Sequence, residues 1–141
     1  MAMKKRVLFL CTGNSARSQM AEALLRHQAG DKYDVFSAGT RPEQVDQRAL
    51  AALESFGVNT GGLTSKHLDQ FQHQAFDFVI TLCDKASQEC GNFANAGERL
   101  AWHFEDPKSR HVPHPFEITL KEINDRLKMF LLIQAKGTAR A

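Results

Sequence analysis

Two hydrophobic patterns alternate along this chain and predict its secondary structure. Short apolar runs bounded by turn residues are typical of buried strands, and apolar residues three and four positions apart are typical of helices. The predicted strands cover residues 7–10, 33–38, 78–82 and 100–104. The predicted helices cover residues 18–28, residues 45–56, a short stretch within 65–74, and a final segment that contains Leu120 and Leu131, with a frayed tail from Gly137.

Strands that alternate with helices indicate an α/β fold. We expect a three-layer sandwich built on a four-stranded parallel sheet. The run Phe78–Leu82 does not alternate with polar residues, so it predicts a central strand that is buried on both faces. Ligands bind beyond the carboxyl ends of the strands in such sheets, and Cys11 and Cys83 both follow predicted strands. At 141 residues, the chain has the size of a single domain, residues 1–141.

The composition narrows the function classes. A net charge of +2, without a run of five Lys or Arg residues, gives little support for nucleic-acid binding. The apolar run Val7–Leu10 is too short for the core of a signal peptide, and no run has the length of a membrane span. We therefore expect a cytoplasmic protein without membrane contact. We also expect a monomer, an expectation that does not follow from the composition. Three cysteines cannot pair completely, and in a reducing compartment reactive or buried thiols are more common than structural disulfides.

A candidate anion-binding loop follows the first predicted strand. Cys11 ends that strand, and Arg17 follows after five residues that include Gly13 and Asn14. Backbone N–H groups in a strand–loop–helix turn converge near the helix N-terminus and favour an anion. Arg17 can add a bidentate grip on an oxyanion, and the same field favours the thiolate form of Cys11. The predicted substrate-binding residues are Thr12, Gly13, Asn14, Ser15, Ala16, Arg17 and Ser18.

The spacing of Cys11 and Arg17 is not specific by itself. It arises easily by chance, and a cysteine at the end of a strand is more often a small buried hydrophobe than a nucleophile. Neither of the usual glycine-rich nucleotide loops, G-x-x-x-x-G-K-[ST] and G-x-G-x-x-G, is present. The sequence therefore favours an oxyanion over a nucleotide as the ligand of this loop.

Longer motifs carry a resemblance to a known family. The segment CTGNSARSQMAE, from Cys11 to Glu22, resembles the signature of the low-molecular-weight phosphotyrosine phosphatases, and especially of their arsenate reductase branch. The likeness continues through YDVFSAG, FDFVITLCDKASQEC and WHFEDP. It implies a low-molecular-weight phosphatase-like fold in which the loop binds the oxyanion, Cys11 attacks it, Arg17 holds it and Ser18 hydrogen-bonds the thiolate.

The resemblance also assigns the acid. Expelling an oxygen from a tetrahedral oxyanion requires a proton donor, and the resemblance assigns that role to Asp106, which precedes Pro107. The alternative is that Asp106 is only a turn residue, since Asp-Pro is common in loops. Glu105 is the adjacent competitor.

The second and third cysteines separate a reductase from a phosphatase, which needs only one thiol. Reduction of arsenate takes two electrons, which thiols supply by forming a disulfide. The resemblance implies a catalytic relay from Cys11 to Cys83 and Cys90, recycled by thioredoxin. Three alternatives stay open: a phosphatase in which Cys83 is core and Cys90 incidental, a non-catalytic oxyanion sensor, and a reductase that uses glutaredoxin or a small thiol.

The resemblance further implies support behind the loop. Some reductases of this family hold potassium there, with groups that match Asn14, Glu22, Ser37 and Thr64 and with a carboxylate two residues after the threonine. This chain has Lys66 at the last position, and its ammonium group could meet Glu22 in place of the ion. We therefore predict no cofactor and no potassium requirement, the alternative being that Lys66 is a solvated surface residue. The three histidines at 103, 111 and 114 match no tight metal-ligand spacing, so we predict no metal site.

Overall fold

The secondary structure closely follows the hydrophobic pattern. A computed structural model describes residues 4–82 and 96–139. Its strands and helices are β1 (Lys5–Leu10), α1 (Arg17–Ala29), β2 (Tyr33–Ala38), α2 (Gln47–Ser55), β3 (Phe76–Thr81), β4 (Ala96–Ala101) and α3 (Pro115–Ala139). Short turns of 3-10 helix cover Leu68–Phe71 and Pro107–Ser109. The predicted strands at 7–10 and 33–38 and the predicted helices at 18–28 and 45–56 are confirmed within two residues at each end.

The strands form one parallel sheet in the order β2-β1-β3-β4. This confirms the predicted α/β fold with its four-stranded parallel sheet. From β1 the chain moves to β2 on one side and later to β3 on the other, so the order of connection reverses at β1. In sheets of this kind such a reversal opens a crevice at the carboxyl ends of the strands. The residue that leaves β1 into this crevice is Cys11.

The core lies on both faces of the sheet, because residues 7–10 of β1 are all buried. Val7 and Phe9 face a large cluster with residues of α1, α2 and α3. Leu8 and Leu10 face a smaller cluster closed by the 3-10 turn at Leu68–Phe71. Burying an aliphatic or aromatic side chain contributes about 1.5–3 kcal/mol, so packing on two faces makes β1 a firm base for the loop that follows it.

The fourth strand lies earlier in the chain than the hydrophobic pattern predicted. We expected it at 100–104, but β4 covers Ala96–Ala101. Its residues Gly97, Glu98 and Arg99 are exposed, because β4 is an edge strand whose outer side faces solvent, and so it lacks an apolar signal. Trp102 and Phe104, which suggested the strand, are buried just beyond it.

The predicted helix at residues 45–56 has well-defined ends in the structure. Asp46 caps α2 by accepting a hydrogen bond from the Arg48 N–H at 2.9 Å, which is a preferred arrangement at a helix N-terminus. Gly57, at a φ of +83°, follows the end of α2 as predicted, in a conformation that glycine adopts without strain. In the predicted 65–74 stretch only Leu68–Phe71 forms a turn of 3-10 helix, and both named residues are buried.

The last helix is longer than predicted. Helix α3 spans 25 residues and continues through Gly137 to Ala139, where we had expected a frayed tail. It buries Leu120, Ile123 and Leu127 in the large cluster that also contains Val7 and Phe9. Within residues 4–82 and 96–139, no helix combines the length and the apolar character that crossing a membrane requires.

Candidate active site

The carbonyl oxygens of the loop after β1 point away from the crevice. The oxygen of Thr12 accepts a hydrogen bond from the Arg41 N–H at 2.9 Å, that of Gly13 from Glu43 at 2.8 Å and that of Ser15 from Asp46 at 2.9 Å. In a planar trans peptide the N–H of the next residue points to the opposite side. The segment 41–46 therefore holds the loop so that successive N–H groups face inward, as an anion site requires.

Asn14 fixes the centre of the loop from behind. Its φ is +47°, a left-handed conformation that asparagine tolerates better than most residues. Its side chain is fully buried and accepts from the Lys66 N–H at 2.8 Å. The same amide donates to Ser18 Oγ at 2.7 Å and to Ser37 Oγ at 2.9 Å. Asn14 thus supports the loop through its side chain and does not present it to the substrate.

Ser18 links this support to the nucleophile. Its hydroxyl lies 2.9 Å from the Cys11 sulfur and already accepts the amide proton of Asn14. Its own O–H is therefore available to the sulfur, and a hydroxyl that donates to a thiolate stabilises the reactive form. Cys11 is only 4% exposed, so the sulfur lies at the bottom of the crevice.

Arg17 and Asp106 come together from opposite sides of the crevice. The Arg17 guanidinium donates to the Phe104 carbonyl at 2.7 Å and lies 3.8 Å from the Asp106 carboxylate. Asp106 also caps the 3-10 turn Pro107–Ser109 by accepting the Lys108 N–H at 3.0 Å. The interpretation of Asp106 as a turn residue is therefore correct, but the same carboxyl group also reaches the site.

The neighbouring carboxylate, that of Glu105, pairs with an arginine outside the cleft lining. Glu105 pairs with the Arg110 guanidinium at 3.1 Å, and Arg110 also binds Glu122 on α3 at 2.8 Å. Glu105 is thus committed to the contact between this loop and α3. Of the two adjacent acidic residues, Asp106 is the one that lies at the crevice.

Behind the loop, a buried carboxylate meets two cations. The Glu22 side chain is 4% exposed, accepts from Ser37 Oγ at 2.6 Å and pairs with Arg26 at 2.9 Å. The Lys66 ammonium lies 3.9 Å from the same carboxylate and donates to the Thr64 carbonyl. Burial lowers the pKa of Lys66, the charge of Glu22 raises it in opposition, and the charge of Arg26 lowers it further.

The residues around the crevice enclose a cleft of about 750 Å³. Of the predicted site residues, Cys11, Thr12, Gly13, Ser15, Ala16, Arg17 and Asp106 line it. Asn14 and Ser18 lie behind the loop instead, as described above. Sequence reasoning missed further lining residues, namely Thr40, Arg41, Pro42, Glu43, His67 and Lys108. Residues 40–43 directly follow β2 at the carboxyl edge of the sheet, so the rule for parallel sheets could have identified them.

Comparison with known proteins assigns the family. Residues 6–139 match the family described as low molecular weight phosphotyrosine protein phosphatase. An arsenate reductase of Bacillus anthracis is 38% identical over 130 residues, which cover 92% of this chain and 96% of that protein. The chain belongs to this family, in its arsenate reductase branch. The resemblance carried by the sequence motifs is thereby confirmed.

Solved structures of this branch share the fold. A structure described as an arsenate reductase in the phosphate binding state has a TM-score of 0.80 and 28% identity, covering 91% of this chain and 97% of its own. A thioredoxin-dependent arsenate reductase of Corynebacterium glutamicum has a TM-score of 0.78 and 30% identity. That comparison covers 96% of this chain and 64% of the Corynebacterium chain.

Two of the three cysteines of the predicted relay, Cys83 and Cys90, lie outside the described residues. The chain can be followed to Leu82, whose N–H donates to the Leu10 carbonyl at 2.9 Å. Leu82 therefore leaves the sheet beside the residue that precedes Cys11, and Cys83 is next in the sequence.

The Lys66 ammonium lies among the groups that the resemblance matched to a potassium site. Besides its contacts with Glu22 and the Thr64 carbonyl, the Lys66 ammonium lies 3.4 Å from Thr64 Oγ1. Its side chain is 19% exposed, so it is not a solvated surface lysine. A further cation at this carboxylate would be the third, and the charges of Arg26 and Lys66 would both repel it. Among residues 4–82 and 96–139, no cluster of three or more His, Cys, Asp or Glu side chains could hold a metal.

Gly39 tests whether loop geometry controls anion binding. A Cβ atom there would lie 2.5 Å from the Thr12 oxygen, 2.8 Å from the Cys11 oxygen and 2.9 Å from the Asn14 nitrogen. These are backbone atoms and cannot rotate away, so Gly39→Ala should shift the loop. A hydrogen bond to a charged group contributes about 1.5–3 kcal/mol. If the shifted loop loses one such bond to the anion, inorganic phosphate should bind at least about tenfold more weakly, measured by isothermal titration calorimetry.

Gly57→Ala is the matched control for this prediction. Gly57 has a φ of +83° and no atom within 4 Å of an added Cβ. The alanine should lower the free energy of unfolding by about 1–2 kcal/mol through backbone strain, measured by urea titration, with phosphate affinity unchanged. An unchanged phosphate affinity in Gly39→Ala would contradict the assigned role of the loop.

Proposed function

We propose that this protein reduces arsenate to arsenite with three cysteines, Cys11, Cys83 and Cys90, and that thioredoxin restores the thiols. The observation that carries the proposal is the anion loop itself, with the Cys11 sulfur at its base and the Ser18 hydroxyl 2.9 Å away. The membership of this chain in the arsenate reductase branch supports the same reaction. The two further cysteines in the sequence support it as well.

The first step is attack on arsenic. Arsenate lies in the loop, with its oxygens on the inward N–H groups and the Arg17 guanidinium. The Cys11 thiolate attacks arsenic and forms a sulfur–arsenic bond. Asp106 donates a proton to the hydroxyl group that leaves, which departs as water.

The second step reduces arsenic. The Cys83 thiolate attacks the Cys11 sulfur and forms a Cys11–Cys83 disulfide. The sulfur–arsenic bond breaks, and its electron pair remains on arsenic, which leaves as arsenite. Two thiols have thus been oxidised to a disulfide, and As(V) has gained two electrons.

The remaining steps regenerate the site. Cys90 attacks Cys83, which releases the Cys11 thiolate and forms a Cys83–Cys90 disulfide. Thioredoxin reduces this disulfide by thiol exchange, consistent with the thioredoxin dependence of the Corynebacterium relative. The cycle needs reduced thiols and one copy of each cysteine, so we propose that the protein acts as a monomer in the cytoplasm.

We also propose that Lys66 makes the loop independent of potassium. The ammonium adds a second positive charge, beside that of Arg26, to the buried Glu22 at 3.9 Å, which lowers the cost of burying the carboxylate. No bound cofactor is needed in this mechanism, because electrons come from thiols.

Phosphate ester hydrolysis is the second candidate function. The family takes its name from phosphotyrosine phosphatases, and Cys11, Arg17 and Asp106 would serve phosphoryl transfer equally well, since phosphate and arsenate share shape and charge. Hydrolysis by this route would need neither Cys83 nor Cys90.

The relay is tested first by Cys90→Ala. With thioredoxin, thioredoxin reductase and NADPH, the parent protein should oxidise NADPH when arsenate is added. The variant should stop after about one turnover, because no Cys90 thiol is present to attack its Cys11–Cys83 disulfide. Ser87→Ala, in the same segment, is the control and should keep full turnover. No arsenate-dependent oxidation in the parent, with p-nitrophenyl phosphate hydrolysed by both proteins, would favour a phosphatase.

The acid is tested by Asp106→Asn. The amide keeps the shape of the side chain but cannot transfer a proton, so kcat for the reaction with arsenate should fall by about 100-fold or more, while phosphate still binds. Glu105→Gln, which alters the adjacent carboxylate paired with Arg110, should leave kcat near the parent value. A similar kcat in Asp106→Asn and the parent would remove Asp106 from the mechanism.

The role of Lys66 is tested by exchanging cations. Steady-state reduction of arsenate in potassium chloride and in sodium chloride of the same ionic strength should give the same kcat/KM, because the ammonium already occupies the position beside Glu22. A several-fold preference for potassium in the parent protein would refute this role.

A further inference from the structure

The mouth of the cleft carries a cation that the proposed mechanism does not use. The Lys108 ammonium lies 2.8 Å from Ser15 Oγ and 3.4 Å from the Glu43 carboxylate, and Lys108 lines the same cleft as Cys11 and Arg17. Its side chain is 32% exposed, so it is held against the anion loop and is not extended into solvent.

We propose that Lys108 contacts the bound oxyanion and selects small inorganic dianions over aryl phosphate esters. The inference deepens the proposed function, because it names the substrate class of the same loop. It concerns the binding step alone and does not depend on the cysteine relay.

The charge around the cleft supports this role. Among the described lining residues, Arg17, Arg41 and Lys108 are cationic and Glu43 is anionic, while Asp106 carries its proton when it acts as the acid. These four charged side chains sum to +2. Without Lys108 the sum is +1. Lys108 therefore supplies half of the net positive charge that attracts a dianion to these residues.

The position of Lys108 relative to the acid determines which oxygen it can meet. Asp106 accepts the backbone N–H of Lys108 at 3.0 Å, and Pro107 lies between them, so one short turn carries both side chains. In an in-line reaction the leaving oxygen lies opposite the attacking sulfur, on the side where Asp106 acts. An ammonium beside that oxygen can donate a hydrogen bond to the free hydroxyl oxygen of an inorganic oxyanion, whereas in an aryl ester the same oxygen carries the ring.

The described lining residues offer no aromatic contact to an ester. Phosphotyrosine presents a phenyl ring, which binds best against the faces or edges of aromatic side chains. Within residues 4–82 and 96–139, the lining residues include no Phe, Tyr or Trp. The described lining thus places cationic groups, Lys108 among them, near the anion loop.

The experiment compares phosphate binding in the reduced parent protein, Lys108→Met, Lys108→Arg and Lys121→Met by calorimetry. Methionine keeps most of the apolar stem without the charge, and Lys121 is an exposed lysine on α3. We expect Lys108→Met to weaken the binding of inorganic phosphate by about fivefold, the scale of one partly exposed ion pair. Lys108→Arg should stay within about twofold of the parent, and Lys121→Met should match it.

Two readouts separate a ligand from a merely structural lysine. The dependence of log Kd on ionic strength should be shallower in Lys108→Met than in the parent, because one charge no longer contributes. The ratio of the Kd of phenyl phosphate to that of phosphate should also fall, because only the free oxygen loses a partner.

If Lys108→Met lost affinity equally for phosphate and phenyl phosphate, with an unchanged salt dependence, Lys108 would only shape the loop. If Lys108→Met bound phosphate within twofold of the parent, the proposal would be overturned outright. Neither outcome would bear on the relay, which is tested by turnover. Conversely, a protein that fails to reduce arsenate could still give the expected phosphate result.

Discussion

The site depends on one constraint of the backbone: the carbonyl oxygens of the loop after β1 have to face away from the bound oxyanion. A buried carbonyl without a donor is costly, so each needs a partner from elsewhere. Backbone N–H groups of 41, 43 and 46 supply three of them, and the Gln19 amide binds the Asn14 carbonyl at 2.8 Å. The loop therefore holds its shape only when the segment between β2 and α2 packs against it.

The same packing controls the nucleophile through side chains. A continuous path of hydrogen bonds joins the Cys11 sulfur through Ser18, Asn14 and Ser37 to the Glu22 carboxylate. Because a buried carboxylate is unfavourable without cations and donors, the arginine and lysine around Glu22 stabilise the far end of the path. The position of the sulfur is thus coupled to the charge cluster of Glu22, Arg26 and Lys66 on the opposite side of the loop. Because Cys11 and Glu22 are both buried, the side chains along the path have little room to move.

The hydrophobic pattern was enough to predict those parts of the fold and the site whose residues are close together in the sequence. The strand, the turn and the helix around Cys11 and Arg17 are adjacent in sequence, so periodicity and turn chemistry located them. The choice between Asp106 and Glu105 did not follow from local pattern. The resemblance made that choice, and the structure adds that Glu105 pairs with Arg110. Lys108 was missed because its contacts join three segments far apart in sequence. The edge strand β4 was misplaced because exposed polar residues give no hydrophobic signal.

A loop that binds phosphate and arsenate alike cannot by itself decide between hydrolysis and reduction, because both reactions begin with the same attack by the same sulfur. The outcome is therefore determined by the group that attacks the covalent adduct on the Cys11 sulfur next. Water completes hydrolysis, whereas a thiol that attacks the sulfur leaves its electron pair on arsenic. Reduction is open to arsenic because As(V) accepts two electrons from thiols, and phosphorus in phosphate does not. In the proposed cycle the step that reduces arsenic therefore needs a second thiol at the edge of the sheet that carries Cys11. The short path from Leu10 to Leu82 across that edge is the structural basis for expecting one there.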